Sequence, residues 1–340
     1  MPLRSEVEGR GRRSRSAPRV LMIGAGAVGQ VYGWHLQRGG ARVELLLKPK
    51  HVAEAREGFR LYRITTKKGR VPETFRADAV HGDVASLRGR RFDQLWLTMS
   101  TAALARAAKN PQSDVSIALK ELGRTVVALP PGLEVPDLLA PHVPPRRRVD
   151  GGVTLVAYEA PLVEDEVPEP GVAFRLTAPA PFSGANAPEV VRLLRSGGMK
   201  AKEHPDARVA VAFSGATLLP IVVALEGAGW KLKDVRHSDY YRLAAKAGTE
   251  ARRIIEDRTG VKKPPATVLY GPTAYYLSSK FAPHLAPFDL EVYLRYHFTK
   301  MRTQSERGLA FLSAIGRRRG FPTEAIDELR SRVFGKKIPA

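Results

Sequence analysis

Cysteine is absent from all 340 residues. Disulfides, thiolate metal sites and a cysteine nucleophile are therefore excluded, and the absence fits a reducing cytoplasm. Aromatic residues are sparse, at 7%, and are not interleaved with basic ones in the manner of a nucleic-acid-binding surface, so nucleic acid is not an expected partner. Acidic residues are outnumbered, 34 against 55 Lys and Arg, which leaves a net charge of +21. Such a field attracts phosphates or small acids, although a solvated basic surface gives the same number. Long apolar runs are lacking as well. The longest uncharged stretch, Val209 to Leu225, contains Ser214, Gly215 and Pro220 and falls short of the roughly 20 apolar residues that span a bilayer. It reads as a core helix, apolar all round and kinked at Pro220, with no membrane partner implied. H-E-x-x-H, P-loop and G-x-S-x-G patterns are also missing, and no carboxylate–histidine cluster suggests a metal.

What is present begins with "MPLRSEVEGRGRRSRSAPR", rich in Arg, Ser and Gly. It has no apolar run and so is no secretory signal; residues 1 to 18 read as a disordered basic leader. From Arg19 short β-rich runs alternate with helical ones. "RVLMIGAG" is a strand entering a Gly turn, "AVGQVYGWHLQRGG" a helix closed by glycines, and "ARVELLL" a second strand. Further strands are expected at "FDQLWLTM", "TVVALPPG", "VDGGVTLVAYEA" and "VAFRLTA", followed by a helix at "APEVVRLLRSGG". This rhythm predicts a parallel, helix-covered sheet over 19–202. From residue 203 to 340 helical patterns dominate, including "DYYRLAAKAGTEARRIIEDRTG", one long segment "FDLEVYLRYHFTKMRTQSERGLAFLSAIGRRRG" and "PTEAIDELRSRVF". These make a substrate or dimerisation domain.

"GAGAVG" carries the most information. Gly24, Gly26 and Gly29 have the G-x-G-x-x-G spacing, and the motif follows a strand, opens a helix and leads to a second strand. Gly24 serves the tight turn, Gly26 lets backbone N–H groups approach a pyrophosphate, and Gly29 lets helix pack on strand. With Ala27 and Val28 they form a dinucleotide cradle at a helix N-terminus. The end of the second strand selects the dinucleotide: an acid there accepts from the ribose of NAD, whereas cations suit the 2′-phosphate of NADP. This chain has "ELLLKPKH", with Lys48 and Lys50 and no carboxylate. NADP is the expected cofactor.

A basic domain of this kind followed by a helical one resembles the ketopantoate reductase (2-dehydropantoate 2-reductase) family. The resemblance rests on "MIGAGAVGQVYGWHLQRGGARVELLLK", on "VALPPGLEVPDLLAP" followed by "RRVDGGVTLVAYEA", and on "TQSERGLAFLSAIGRRRGFPTEAID". It implies an α/β fold: an N-terminal Rossmann-type parallel sheet domain, then an all-helical C-terminal domain, in a 6-phosphogluconate-dehydrogenase-like arrangement. It further implies NADPH-dependent reduction of a small, anionic 2-keto acid or related carbonyl in the interdomain cleft, by a cytoplasmic protein that can form a homodimer. The residues such enzymes use for chemistry are replaced. Ser100 stands where the family has a lysine near the cofactor, and Pro131 where an N-G turn has its asparagine. The catalytic lysine and two asparagines of the family's core helix fall on Val211, Gly215 and Leu219. The substrate-binding glutamate matches Gln304, and Lys202 is too far upstream to replace the missing lysine.

Replacement chemistry is expected on the long helical segment. Tyr293, His297, Lys300 and Gln304 fall at i, i+4, i+7 and i+11, on one helical face. His297 could donate a proton to a reduced carbonyl or imine, and Lys300 could bind a carboxylate. The same face could equally be ordinary polar surface. Two functions follow: an NADP-dependent oxidoreductase with a rebuilt site, or a dinucleotide-binding sensor that has lost catalysis.

Overall fold

The computed structural model describes residues 16–262 and 272–335; residues 1 to 15 of the basic leader lie outside it. The chain starts with β1 (Arg19–Ile23), α1 (Ala27–Arg38), β2 (Arg42–Leu46) and α2 (Val52–Glu57). It continues with β3 (Phe59–Ile64), β4 (Arg70–Phe75), β5 (Ala79–His81), β6 (Phe92–Leu97), α3 (Thr101–Ala108) and α4 (Asp114–Glu121). Next come β7 (Gly123–Ala128), α5 (Val135–Leu139), β8 (Arg148–Gly151), β9 (Leu155–Ala160) and β10 (Gly171–Leu176). The strand-bearing part closes with β11 (Ala180–Ser183), α6 (Ala187–Ser196) and β12 (Ala201–Glu203). Beyond it the described residues form only helices: α7 (Ala207–Gly227), α8 (Leu232–Arg236), α9 (Asp239–Thr259), α10 (Pro272–Leu285), α11 (Leu290–Lys300), α12 (Arg302–Arg318) and α13 (Glu324–Phe334).

Eight strands make a mostly parallel sheet in the order β12-β11-β8-β7-β6-β1-β2-β5. Its central strands carry Val20, Met22, Val43, Leu95, Trp96 and Val127, all fully buried. Apolar character on both faces is what a sheet covered on both sides requires. The architecture is a Rossmann-like domain followed by a helical one, as expected.

The sequence reading missed a second sheet, β4-β3-β10-β9. Its β3–β4 hairpin turns at Thr65–Gly69, where the Thr65 N–H donates to the Gly69 carbonyl. Helix α1 lies between the two sheets, and their shared core joins Met22, Trp96 and Val127 to Leu61, Phe75, Val172 and Phe174. Gly33 makes that contact close: a Cβ there would fall 2.5 Å from Phe75 Cζ. The stretch "VDGGVTLVAYEA", expected as one strand, is therefore two. It leaves the first sheet after Gly151 and enters the second at Leu155.

Two further expectations need correction. Helix α7 is long and apolar enough to cross a membrane by length and composition, yet its inner side builds the helical domain's core. Phe213, Ala216, Val223 and Ala224 pack with Ala247, Ile254, Leu309 and Ile326. It is not buried all round, however, because Ser214, Gly215 and Leu218 are exposed. The long segment after Phe288 is also not one helix; it is interrupted at Met301. Its two halves pack on different partners, Tyr293 against Tyr158 of the second sheet and Gly308 against Leu219 of α7.

A buried ion pair ties the helical domain to the first sheet. Arg208 and Asp150 are 6% and 9% exposed, and the guanidinium donates to Asp150 Oδ1 at 2.7 Å. It also reaches the carbonyls of Pro130 (3.2 Å) and Gly132 (3.0 Å). Breaking a buried pair strands a charge and costs about 3–5 kcal/mol. Arg148, 3.0 Å from Asp150 Oδ2, keeps the penalty toward the lower figure. Arg208→Met should therefore lower the urea-unfolding free energy by about 3 kcal/mol. A change below about 1 kcal/mol, the scale of an exposed pair, would contradict this.

Candidate functional site

Strands β1 and β6 pair in parallel, Ile23 opposite Leu97. The chain runs outward from β1 through β2 to β5, then returns to β6 on the other side. Strand order reverses between β1 and β6, and the crevice beyond such a switch point is where open α/β sheets bind ligands. "GAGAVG" occupies this place.

Gly24 has φ +101°, a conformation that favours glycine. Thr98, just past β6, fixes the turn by donating its hydroxyl to the carbonyls of Gly24 (2.7 Å) and Ile23 (3.2 Å). Gly29 permits this approach, since a Cβ there would lie 2.8 Å from Thr98 Oγ1. Helix α1 then starts without a side-chain cap and without an acid in its first turn. The N–H groups of Ala27 and Val28 have no protein acceptor among the described residues. A Cβ on Gly26 would meet nothing within 4 Å, so the approach to these donors is open. Unpaired N–H groups at the positive end of a helix fit a phosphate.

Lys48 and Lys50 are exposed just beyond β2, which lies beside β1. Neither has an ion-pair partner among the described residues. The one acid within β2, Glu44, is buried and held by His81 (2.8 Å), Arg90 (2.6 Å) and Arg19 (3.4 Å). It is not free to accept from a ribose. Ser100 caps α3 by accepting from the Ala103 N–H at 3.3 Å, and remains exposed beside the switch point.

Helix α7 packs against β8 and β11 of the first sheet. Asp206 caps it, accepting from the N–H groups of Arg208 (2.9 Å) and Val209 (3.1 Å). Arg208 then locks it to the loop after β7. Pro131 lies in that loop, and its carbonyl is taken by the Thr101 hydroxyl. Along one stripe of α7, Val211 abuts Gly152, Gly215 is open, and Leu219 abuts Gly308 of α12. Gln304, half-buried, is one turn before Gly308. Lys202 is exposed on β12 at the opposite edge of the sheet.

His297 and Lys300 belong to a different environment from Gln304, because the break at Met301 separates α11 from α12. The Lys300 ammonium donates to Glu159 Oε2 (2.6 Å) on β9, which also accepts from the Tyr296 hydroxyl at 2.7 Å. Hydrogen bonds from Lys300 and then Tyr296 hold the Glu159 carboxyl below the usual range. Burial opposes the charge on Lys300, but its bonds to Glu159 and Tyr296 prevail and raise its pKa. His297 stacks on Tyr293 at 5.5 Å between ring centres, and Tyr293 is itself pushed up to about 12 by burial. Sequence reasoning missed Arg208, Thr98 and Glu159 because their partners are distant in the chain. Only Arg208 left a trace, as the charge that ends the apolar run.

Residues 20–161 match the family model described as Ketopantoate reductase PanE/ApbA. Similar solved structures extend the likeness to nearly the whole chain. A ternary structure of D-mandelate dehydrogenase with NADH and anilino(oxo)acetate has a TM-score of 0.69 at 14% identity, covering 93% of this chain and 97% of that one. 2-Dehydropantoate 2-reductase from Geobacter metallireducens GS-15 has a TM-score of 0.65 at 17% identity, covering 93% and 99%. A probable 2-dehydropantoate 2-reductase from Bacillus subtilis has a TM-score of 0.63 at 14% identity, also covering 93% and 99%. No curated protein sequence matches. The fold is thus that of the ketopantoate reductase-like oxidoreductases, and the resemblance read from the sequence holds.

Burial, and next the charge of Lys300, hold the His297 pKa below the 6.5 of free histidine. Below about pH 6.5 the unfolded chain then binds more protons here than the folded one. His297 should contribute stability above that pH and lose it as the pH falls through the folded pKa. An NMR titration should place its midpoint below 6.5; a midpoint above 6.5 would contradict the burial argument.

Proposed function

We propose that the chain is an NADP-dependent oxidoreductase that transfers hydride to a small anionic carbonyl or imine substrate in the cleft between the sheet and α7. One observation carries the reading: an uncapped helix N-terminus at the switch point, beside a β2 end that presents Lys48 and Lys50 and no free acid. Gly24, Gly26 and Gly29 bring the N–H groups of Ala27 and Val28 to the pyrophosphate, and the two lysines meet the 2′-phosphate. When bound, the nicotinamide supplies the hydride. The chain must then stabilise charge on the substrate oxygen. The Gln304 amide, on α12, can donate a hydrogen bond to it. His297, on α11 and held neutral by burial, can offer a hydrogen bond from its remaining ring N–H and no acidic proton, so the proton that completes the alcohol comes from solvent. Lys300 already serves Glu159, so a substrate carboxylate would have to displace that partner.

NADH is present in two similar structures of D-mandelate dehydrogenase and is a property of that enzyme; the exposed Lys48 and Lys50 favour NADPH here. A charge-assisted phosphate contact contributes about 1.5–3 kcal/mol, so NADPH should bind at least about tenfold more tightly than NADH. Fluorescence titration measures this, and Lys48→Glu should erase the preference. Equal affinities in the unmodified protein would remove the NADP assignment.

Val211, Gly215 and Leu219, which offer no side-chain donor, favour a second reading as a dinucleotide sensor without turnover. Loss of a positioned acid costs about 10²–10⁴-fold in rate. Ketopantoate should accordingly be reduced at least about a hundredfold more slowly than by an enzyme that keeps such an acid. If α11 nonetheless reaches the substrate, His297→Ala should abolish turnover of whichever oxo acid or imine is reduced, with NADPH binding intact. NADPH binding without reduction of any oxo acid or imine would favour the sensor.

A further inference from the structure

Strands β8, β7, β6, β1 and β2 are neighbours in the first sheet and run in parallel. Their first residues therefore share one edge, and each strand begins with or beside an arginine. Arg42 and Arg19 open β2 and β1, Arg91 precedes β6, Arg124 is the second residue of β7, and Arg146 and Arg147 precede β8. The topology thus gathers residues far apart in sequence into one row. With strands 4.8 Å apart, the row is about 19 Å long.

Acids do not balance it. Glu44 is buried and already held, Glu121 is exposed, and Asp93 accepts from the Arg19 N–H at 2.9 Å. Arg42, Arg91, Arg146 and Arg147 enter no ion pair among the described residues, and Arg124 reaches only Asp93, at 4.0 Å. Carbonyls hold two of the guanidiniums instead. Arg91 donates to that of Glu121 (2.8 Å), and Arg147 to those of Leu119 (3.1 Å), Arg124 (3.3 Å) and Gly123. Burial, and next the charges of Arg146 and Arg91, lower the Arg147 pKa, as crowded like charges must. An anion that spans the row would relieve this repulsion.

The shape of the row selects the anion. Guanidinium forks match phosphates, and one nucleic-acid strand sets a phosphate every 3.4 Å along its axis, about five over this length. None of the exposed large apolar side chains among the described residues lies at this edge, so a lipid surface finds no anchor there. The aromatic ring at the edge, Phe92, is buried beneath Arg19, 4.8 Å from its centre, and offers no platform for an unpaired base. Sparse aromatics exclude base stacking but not contact with the backbone.

We propose that the arginines at the start of β8, β7, β6, β1 and β2 bind the phosphate backbone of a double-stranded nucleic acid, without reading its bases. The arginine-rich stretch 1–18 is joined to the chain at Arg19 and so is attached at the same edge. The glycine turn lies at the other end of β1, about 16 Å away. The two sites are separate, and the proposal does not depend on the oxidoreductase reading.

The test uses the full chain and a fluorescein-labelled DNA duplex of about 20 base pairs, long enough to cover the row. Anisotropy titrations between about 50 and 200 mM salt should give a log–log slope of about −4.5, as five neutralised phosphates require. The triple variant Arg91→Glu, Arg124→Glu, Arg146→Glu should bind at least about tenfold more weakly with a shallower slope and unchanged NADPH affinity. Lys67→Glu, Lys68→Glu, Lys202→Glu, at exposed positions away from the row, changes the net charge equally and should alter affinity by less than about twofold. Arg124→Glu alone, at a side chain 78% exposed, should reduce the slope by about 1; it decides the matter if the triple variant fails to fold. Equal weakening by the two triple variants would assign the binding to overall charge, and displacement by NADPH would assign it to the dinucleotide cleft. Either result overturns the proposal. An unchanged slope in Arg124→Glu, no binding at about 50 mM salt, or binding of phosphatidylserine vesicles but not of the duplex would overturn it as well.

Discussion

A single buried guanidinium sets the geometry on which the cleft depends. Arg208 enters α7 at its first turn and meets Asp150 at the end of β8 and the carbonyls of the loop after β7. An ion pair this dry has no inexpensive alternative arrangement, since any shift of α7 strands one charge. The direction of the helix is thereby fixed against the sheet's C-terminal edge, where the switch point lies. Everything on the outer stripe of α7 inherits that position. The pair adds specificity of docking more than net stability, because two apolar residues of the same volume could pack there at no loss.

The first sheet was legible because its signals are local. Strand, glycine turn and helix stand in one 20-residue stretch, and buried parallel strands appear as unbroken apolar runs. The second sheet was not legible in the same way. Strand β3 pairs in parallel with β10, Leu61 opposite Val172, across more than a hundred residues of sequence. The change of sheet at Gly152 is also invisible to periodicity, since the residues on both sides of it favour strand. The break at Met301 has no glycine or proline to announce it. It arises because the aromatic face of α11 matches the second sheet while the small-residue face of α12 matches α7.

The site divides along the same line. The glycine turn is built from consecutive backbone, so the G-x-G-x-x-G spacing sufficed to place it between β1 and α1. Lys48 and Lys50 were legible for the same reason, as residues that directly follow a strand. The polar groups of the long helical segment were placed by helical spacing alone, and spacing says nothing about the element opposite. Glu159 faces Lys300 from 141 residues away and converts a free ammonium into half of an ion pair. The exposed side of α7 was hidden because an apolar run looks the same whether one side faces outward or all of it fills a core.

An apolar wall need not make a poor oxidoreductase. Hydride transfer moves charge from the nicotinamide to the substrate oxygen, and the protein must stabilise that charge at one atom. An apolar wall excludes water only once a ligand covers it, and that covering strengthens whichever donor remains. One neutral donor in a dry cleft can then do part of what a charged lysine does in a wetter one. The Gln304 amide, half-buried on α12, is a donor of this neutral kind and demands no counter-ion. An exposed strip of α7 without polar groups is therefore compatible with retained chemistry.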